Sequence, residues 1–226
     1  MVYALGDLGA QLLTEGGAEL ANLEWSRKNG EAGRPFIEHQ LEIVEFHLAL
    51  ERSTRGRSDV RLIYPEEIIV SSPERIHKKR NPFALRATIS QSERAHDFAV
   101  VPDLVFGLMF PDGSRRCFMV EIDRGTMPIS RSDSRQTSFE RKMHAYLTAY
   151  GQGQHTKQLG WKTFRVLVVT TNQQRIGSMI ERLHQLNVQE GPVPSLFLFS
   201  LANELQRNDP LTHFWQDGSG RAIRLK

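Results

Sequence analysis

The stretch Pro102-Asp103-Leu104-Val105-Phe106-Gly107-Leu108-Met109-Phe110-Pro111-Asp112-Gly113-Ser114-Arg115-Arg116-Cys117-Phe118-Met119-Val120-Glu121-Ile122-Asp123 sets two apolar runs either side of a Pro-Asp-Gly turn, with acids at both outer ends. Proline suits the first central position of a type I turn, aspartate the second, and glycine the left-handed residue that follows. The loop therefore closes as a three-residue hairpin with a G1 bulge. Phe110 pairs with Ser114 in that register, and counting outward puts Asp103 opposite Glu121. Side chains alternate along a strand, so Asp123 lies on the same face as Glu121. Three carboxylates converge in this reading. Like charges facing each other destabilise a sheet, so a compensating cation is expected, either a divalent metal or a basic side chain. A bound Mg²⁺, for which Mn²⁺ can substitute, takes such oxygen ligands and promotes phosphodiester hydrolysis. The bland alternative is a hairpin end rich in solvated acids.

Outward from the hairpin, Val60 to Tyr64, Ala84 to Ile89, Phe164 to Thr171 and Leu196 to Phe199 read as further strands. Pro35 opens a long helix to about Arg52, with Phe36, His39, Ile43, Phe46 and Leu50 at steps of three and four. A second helix runs from an N-cap at Asp133 or Ser134 to Tyr150, and a third from Gln173 to Leu186. Asp7 caps a short helix carrying Leu8, Leu12 and Leu13 and ending at Gly16-Gly17; Ala18 to Arg34 reads as a linker. Helix, antiparallel strands, helix, strand, helix, strand is the order of an α/β sandwich on a mixed sheet.

The 226 residues suffice for one sizeable domain and a small appendage, and 39% hydrophobic with 24% charged residues is ordinary for a globular chain. A net charge of +3 points only weakly to an anionic partner. Cys117 is the single cysteine, which excludes an intrachain disulfide and a multi-cysteine zinc site. No run approaches a membrane span and no secretory leader pattern is visible, so no membrane partner is expected and the chain is read as cytoplasmic. Gly151-Gln152-Gly153 lacks the strand-to-helix context of a dinucleotide loop, and neither a phosphate-binding loop nor a serine nucleophile elbow occurs. Three basic clusters stand out: Arg52, Arg55 and Arg57; Arg75, His77, Lys78, Lys79 and Arg80; and Arg124, Arg131 and Arg135 beside the acids. Phosphate contacts with DNA are the functional reading of these clusters, carried most by the third because it flanks the acids and with Lys78, Lys79 and Arg80 of the second added to it, and a solvated face is the alternative. Trp161 and Trp215 are read as packing residues rather than base-stacking platforms.

The order helix, strand opening with Asp103, strand closing with Glu121, then helix, resembles the PD-(D/E)XK nuclease core. More specifically, His39-Gln40-Leu41 through Glu45, Val101-Pro102-Asp103, Glu121-Ile122-Asp123-Arg124-Gly125-Thr126, Lys142 and Tyr146 resemble the replication-relaxation family. That family is linked to plasmid replication, DNA relaxation and mobile elements, and typically joins an N-terminal winged helix to a nuclease-like domain. The resemblance implies a restriction-endonuclease-like mixed sheet flanked by helices over residues 34–226, after a winged-helix remnant and linker over 1–33, with Val2 to Leu5 as the wing strand. It also implies Asp103, Glu121 and Asp123 as catalytic metal ligands. Glu45 either joins them from the long helix or is a surface acid beside Glu38 and Glu42. The pattern expects lysine two residues after the glutamate, where this chain has Asp123. Lys142 is the replacement that helical periodicity favours, because residues 139, 142, 143, 146 and 150 share a face; Arg124 and Arg135 are weaker substitutes. The implied function is a DNA-binding protein of a plasmid or mobile element, if active a Mg²⁺-dependent deoxyribonuclease. The competing reading is an inactive accessory module that holds DNA, a relaxase or a replication protein.

Overall fold

The computed structural model describes residues 7–17, 33–91, 94–131, 137–186 and 193–226. In chain order its helices are α1 (Asp7–Glu15), α2 (Arg34–Thr54), α3 (Pro65–Val70), α4 (Glu74–His77), α5 (Phe139–Gly151), α6 (Gln154–Leu159), α7 (Gln173–Gln185), α8 (Val193–Leu196) and α9 (Ala202–Leu205). Its strands are β1 (Arg61–Ile63), β2 (Leu85–Gln91), β3 (Arg94–Val100), β4 (Leu104–Met109), β5 (Arg115–Ile122), β6 (Arg165–Thr170), β7 (Phe197–Leu201), β8 (Trp215–Asp217) and β9 (Ala222–Ile223). Residues 1–42 and 43–226 form two compact units.

The Pro-Asp-Gly turn organises the larger unit. Phe110 N donates to Ser114 O at 3.0 Å, Ser114 N to Asp112 Oδ1 at 2.9 Å, and Gly113 takes φ +78°, a left-handed value that a Cβ would strain. β4 and β5 pair antiparallel from Met109↔Arg115 to Leu104↔Val120. The regular ladder ends there, and beyond it Asp103 N donates to Val120 O at 2.9 Å, which keeps Asp103 beside Glu121, the residue the count from the turn sets opposite it.

Alternation then separates two apolar layers. Phe106, Leu108, Phe118, Val120 and Ile122 face one core with Phe46 and Leu50 of α2, and the Phe106 and Phe118 rings stack at 4.9 Å. Val105 and Met119 face the other core, built with Met143 and Tyr146 of α5 and Met179 and Leu183 of α7. Each fully buried side chain of this size contributes about 1.5–3 kcal/mol from area removed from water.

The main sheet has the order β1-β4-β5-β6-β7-β8-β9. β5-β6 and β6-β7 are parallel, and the other four pairings are antiparallel. The parallel joints are where helices bridge the strands, which agrees with the expected mixed α/β architecture. β2 leaves this sheet and, among the described strands, pairs with β3, a strand whose charged sequence hides its pairing; this two-stranded ribbon packs on α5. Helix α5 starts later than the sequence indicates. Its N-cap is Ser138, whose side chain accepts from Arg141 N, and the expected caps Asp133 and Ser134 lie outside the described residues. Of the appendage, α1 is described and ends on Gly17 at φ +86°, while Val2 to Leu5 lie outside the described residues. Trp161 and Trp215 are both buried in the core. No described helix is long and apolar enough to cross a membrane.

Candidate functional site

Glu121 is the centre of the acidic end of β5. It is 1% exposed, because Met119, Glu121 and the turn after them face the layer formed by α5 and α7. Helix α5 buries Phe139, Met143 and Tyr146, and that spacing turns Lys142 toward the sheet. Lys142 Nζ lies 2.5 Å from Glu121 Oε2, and Tyr146 Oη donates to Glu121 Oε1 at 2.7 Å. The bland outcome, with the lysine stem snorkelling its ammonium into bulk water, is not what this helix does.

Electrostatics follow from that packing. Burial, and secondarily the facing Asp103, push the Glu121 carboxyl up to about 7 even though Lys142 opposes them. Burial pulls the Lys142 ammonium down, but Glu121 and Asp103 outweigh it and hold the group above its ordinary value. Burial and Glu121 raise the Tyr146 phenol well above the usual range, so Tyr146 acts as a hydrogen-bond donor. Asp103 is half-buried, and its Oδ2 accepts from Ile122 N at 2.8 Å, which ties the start of β4 to the end of β5.

Asp123 has a different partner. Asp123 N donates to Val169 O at 2.8 Å, extending the parallel ladder, so the side chain emerges beside Thr170 and the first turn of α7. Thr170 Oγ1 donates to Asp123 Oδ2 at 2.6 Å, Arg175 Nε donates to the same oxygen, and Arg175 Nη2 donates to Oδ1 at 2.7 Å. Arg175 Nη2 also reaches the Met127 carbonyl at 2.5 Å, so one guanidinium fixes both Asp123 and the loop that follows it. The expected three-carboxylate cluster is thus divided between two basic side chains. Among the described residues, no group of three or more His, Cys, Asp or Glu side chains is placed to hold a metal ion. Glu45 is exposed on α2.

A sequence model described as Replication-relaxation matches residues 1–164, which include the hairpin, Lys142 and Tyr146. The chain belongs to the replication-relaxation family. Membership suggests a role in plasmid or mobile-element replication. Comparison of this replication-relaxation protein with curated proteins and with solved structures gave no match. Arg175 lies beyond the matched region of the replication-relaxation model, and sequence reasoning missed it. Its signal was non-local: the parallel register Ile122↔Val169 brings the helix after β6 to Asp123.

Of the basic residues expected to contact DNA, Lys78, Lys79 and Arg80 are exposed in the segment after α4 of the replication-relaxation protein. Arg124 is half-buried, Arg131 is exposed with its Nε donating to Thr137 O at 3.0 Å, and Arg135 lies outside the described residues.

Proposed function

We propose that this replication-relaxation protein handles DNA in the replication of a plasmid or other mobile element, and that Asp103, Glu121 and Lys142 form a phosphodiester site of PD-(D/E)XK type. The observation that carries this reading is the contact of Lys142 with Glu121, which delivers from the neighbouring helix the cation that the sequence lacks after the glutamate. Two carboxylates on one face of a hairpin are hard oxygen donors, and Mg²⁺ is commonly held by one or two carboxylates with water and substrate phosphate completing its shell. Asp103 and Glu121 therefore suit Mg²⁺ or Mn²⁺, whereas Asp123 is committed to Arg175 and Glu45 is exposed. When bound, the metal supplies Lewis-acid polarisation of a phosphate and an activated water. Lys142 keeps its ammonium beside the acid pair, where negative charge on a phosphate would gather, and Tyr146 fixes the Glu121 carboxyl.

The second reading, an accessory module that holds DNA or a relaxase without cutting, is favoured by a separate observation. Both Glu121 oxygens already accept hydrogen bonds, from Lys142 and Tyr146. The two readings separate in one measurement, the thermal response of the purified protein to Mn²⁺ or Mg²⁺. A ligand that binds only the native state raises the melting temperature by mass action. The nuclease reading requires a metal-dependent rise in the wild type that Asp103→Asn abolishes. An equal rise in both proteins rejects the site, and no rise in either leaves the accessory module. In the DNA-binding part of the proposal, neutralising Arg124, Arg131 and Arg135 together weakens binding and flattens its salt dependence, with Lys78, Lys79 and Arg80 as the competing contact surface.

A further inference from the structure

The opposite end of β5 carries the opposite charge. Arg115 and Arg116 open the strand, roughly 17–20 Å from Glu121 at the rise of an extended chain. They border a cavity of about 670 Å³ with Arg165, Arg224 and Lys226, and no acidic side chain among the described residues lines it. Lys226 pairs with Asp59. None of the four arginines forms an ion pair with a described acid. Arg116 donates to Leu225 O at 2.7 Å and lies over the Phe110 ring, and Arg224 lies over Phe214; these contacts orient the guanidinium groups without bringing a negative charge to them among the described residues.

Arg165 is the most telling of them. It begins β6, next to β5, and no described residue forms a hydrogen bond or ion pair with its guanidinium. Burial and the like charge of Arg116 pull its pKa below the ordinary value. The acid that reaches it, Asp217, is already engaged by Arg221 and by the backbone amides of Ser219 and Arg221. A half-buried cation beside another cation destabilises the fold unless an anion completes the site.

The cavity is also bordered by the half-buried Tyr150 and Ile223, with the Tyr150 hydroxyl hydrogen-bonded to Thr163 Oγ1 at 3.1 Å, over a floor of buried Phe118, Phe164 and Leu196. A bare phosphate would leave most of this volume empty, whereas cavities of about 300–1,000 Å³ suit organic ligands. We propose that this cavity binds the phosphates of a nucleotide, either a free nucleoside triphosphate or the 5′-phosphorylated end of a DNA strand, with Arg116 and Arg165 on the phosphates and the ring system beside Tyr150 and Ile223. The site is separate from the acidic end of β5 and stands whether or not Asp103 and Glu121 bind metal.

The test is equilibrium binding in metal-free buffer, with dATP and a short single strand bearing a 5′-phosphate as probes, and inorganic triphosphate and the same strand with a 5′-hydroxyl as comparisons. At least one nucleotide probe should bind, and Arg116→Gln with Arg165→Gln should weaken it at least tenfold. Arg165→Gln alone should keep or raise the melting temperature of the free protein, because it removes the like-charge contact. Exposed Arg115→Gln provides a second variant with little risk to folding and should weaken binding in the same direction. Preference for dATP identifies a nucleotide pocket, and preference for the 5′-phosphate over the 5′-hydroxyl strand identifies a strand-end site. Equal binding of the two strands without dATP binding, unchanged affinity in the arginine variants, or no binding of either nucleotide probe overturns the proposal.

Discussion

Replacing Arg175 by methionine tests what Asp123 is for. The Asp123 and Arg175 side chains are 3% and 13% exposed, so the variant leaves a carboxylate in the interior with, among the described residues, only the Thr170 hydroxyl as a side-chain donor. Removing one partner of a buried ion pair costs about 3–5 kcal/mol, mainly as the desolvation of the charge left behind. A domain of this size loses roughly 2–4 °C of melting temperature per kcal/mol, so the expected fall is roughly 6–20 °C. The double variant Asp123→Leu with Arg175→Met should recover most of it, because an apolar pair of similar volume replaces a buried salt bridge at little net cost. Thermal unfolding followed by circular dichroism at pH 7, with and without Mg²⁺, reads both effects. A loss below about 1 kcal/mol in the single variant would refute the clamp, since that is the range of an exposed pair. Restoration of the single variant by Mg²⁺, with no such effect in the double variant, would return Asp123 to the set of metal ligands.

Three further outcomes follow from geometry already given. Glu121 has its carboxyl raised from an ordinary 4.5 to about 7 in the fold, so the native state binds the proton more tightly and stability falls as pH rises through that window, by roughly 3 kcal/mol. Glu121→Gln should flatten the fall in urea-unfolding free energy between pH 5 and pH 8 in metal-free buffer, and an undiminished fall would assign it to other groups. Gly107→Ala would place a Cβ 3.1 Å from Ile63 Cδ1 and 3.2 Å from its Cβ, and forcing β1 away should cost about 1–3 kcal/mol by the same assay. Ser138→Ala removes the cap that accepts from Arg141 N at 3.2 Å and should lower stability by about 1 kcal/mol, seen as a shift in the urea midpoint at constant slope.

What could be read from the chain was what short-range geometry controls. The Pro111-Asp112-Gly113 turn sets its own register, and that register alone pairs Asp103 with Glu121; the 3.6-residue period of α5 alone aims Lys142 at the sheet. The Arg175 partner of Asp123 was not legible because the neighbours of Asp123 are set by a parallel pairing between β5 and β6, which no local turn encodes. The same is true of β2 and β3: Ala84 to Ile89 has the alternation of a strand, but nothing in it says which sheet receives it. The basic cavity was invisible for a related reason, since Arg116, Arg165 and Arg224 come from three separate strand ends.

The tight turn also bears on the order in which the molecule assembles. A hairpin closed by such a turn forms in microseconds, while contacts between distant segments must first overcome loop closure. Lys142 is 21 positions from Glu121 and Arg175 is 52 from Asp123, so the hairpin brings Asp103 and Glu121 face to face before either cation arrives. Early in folding, this end of the ribbon repels itself. Protons or salt in the refolding buffer would quiet that repulsion, so the refolding limb of the chevron should rise as pH drops toward the carboxylate range while the unfolding limb, set by a state in which the cations are already seated, responds differently.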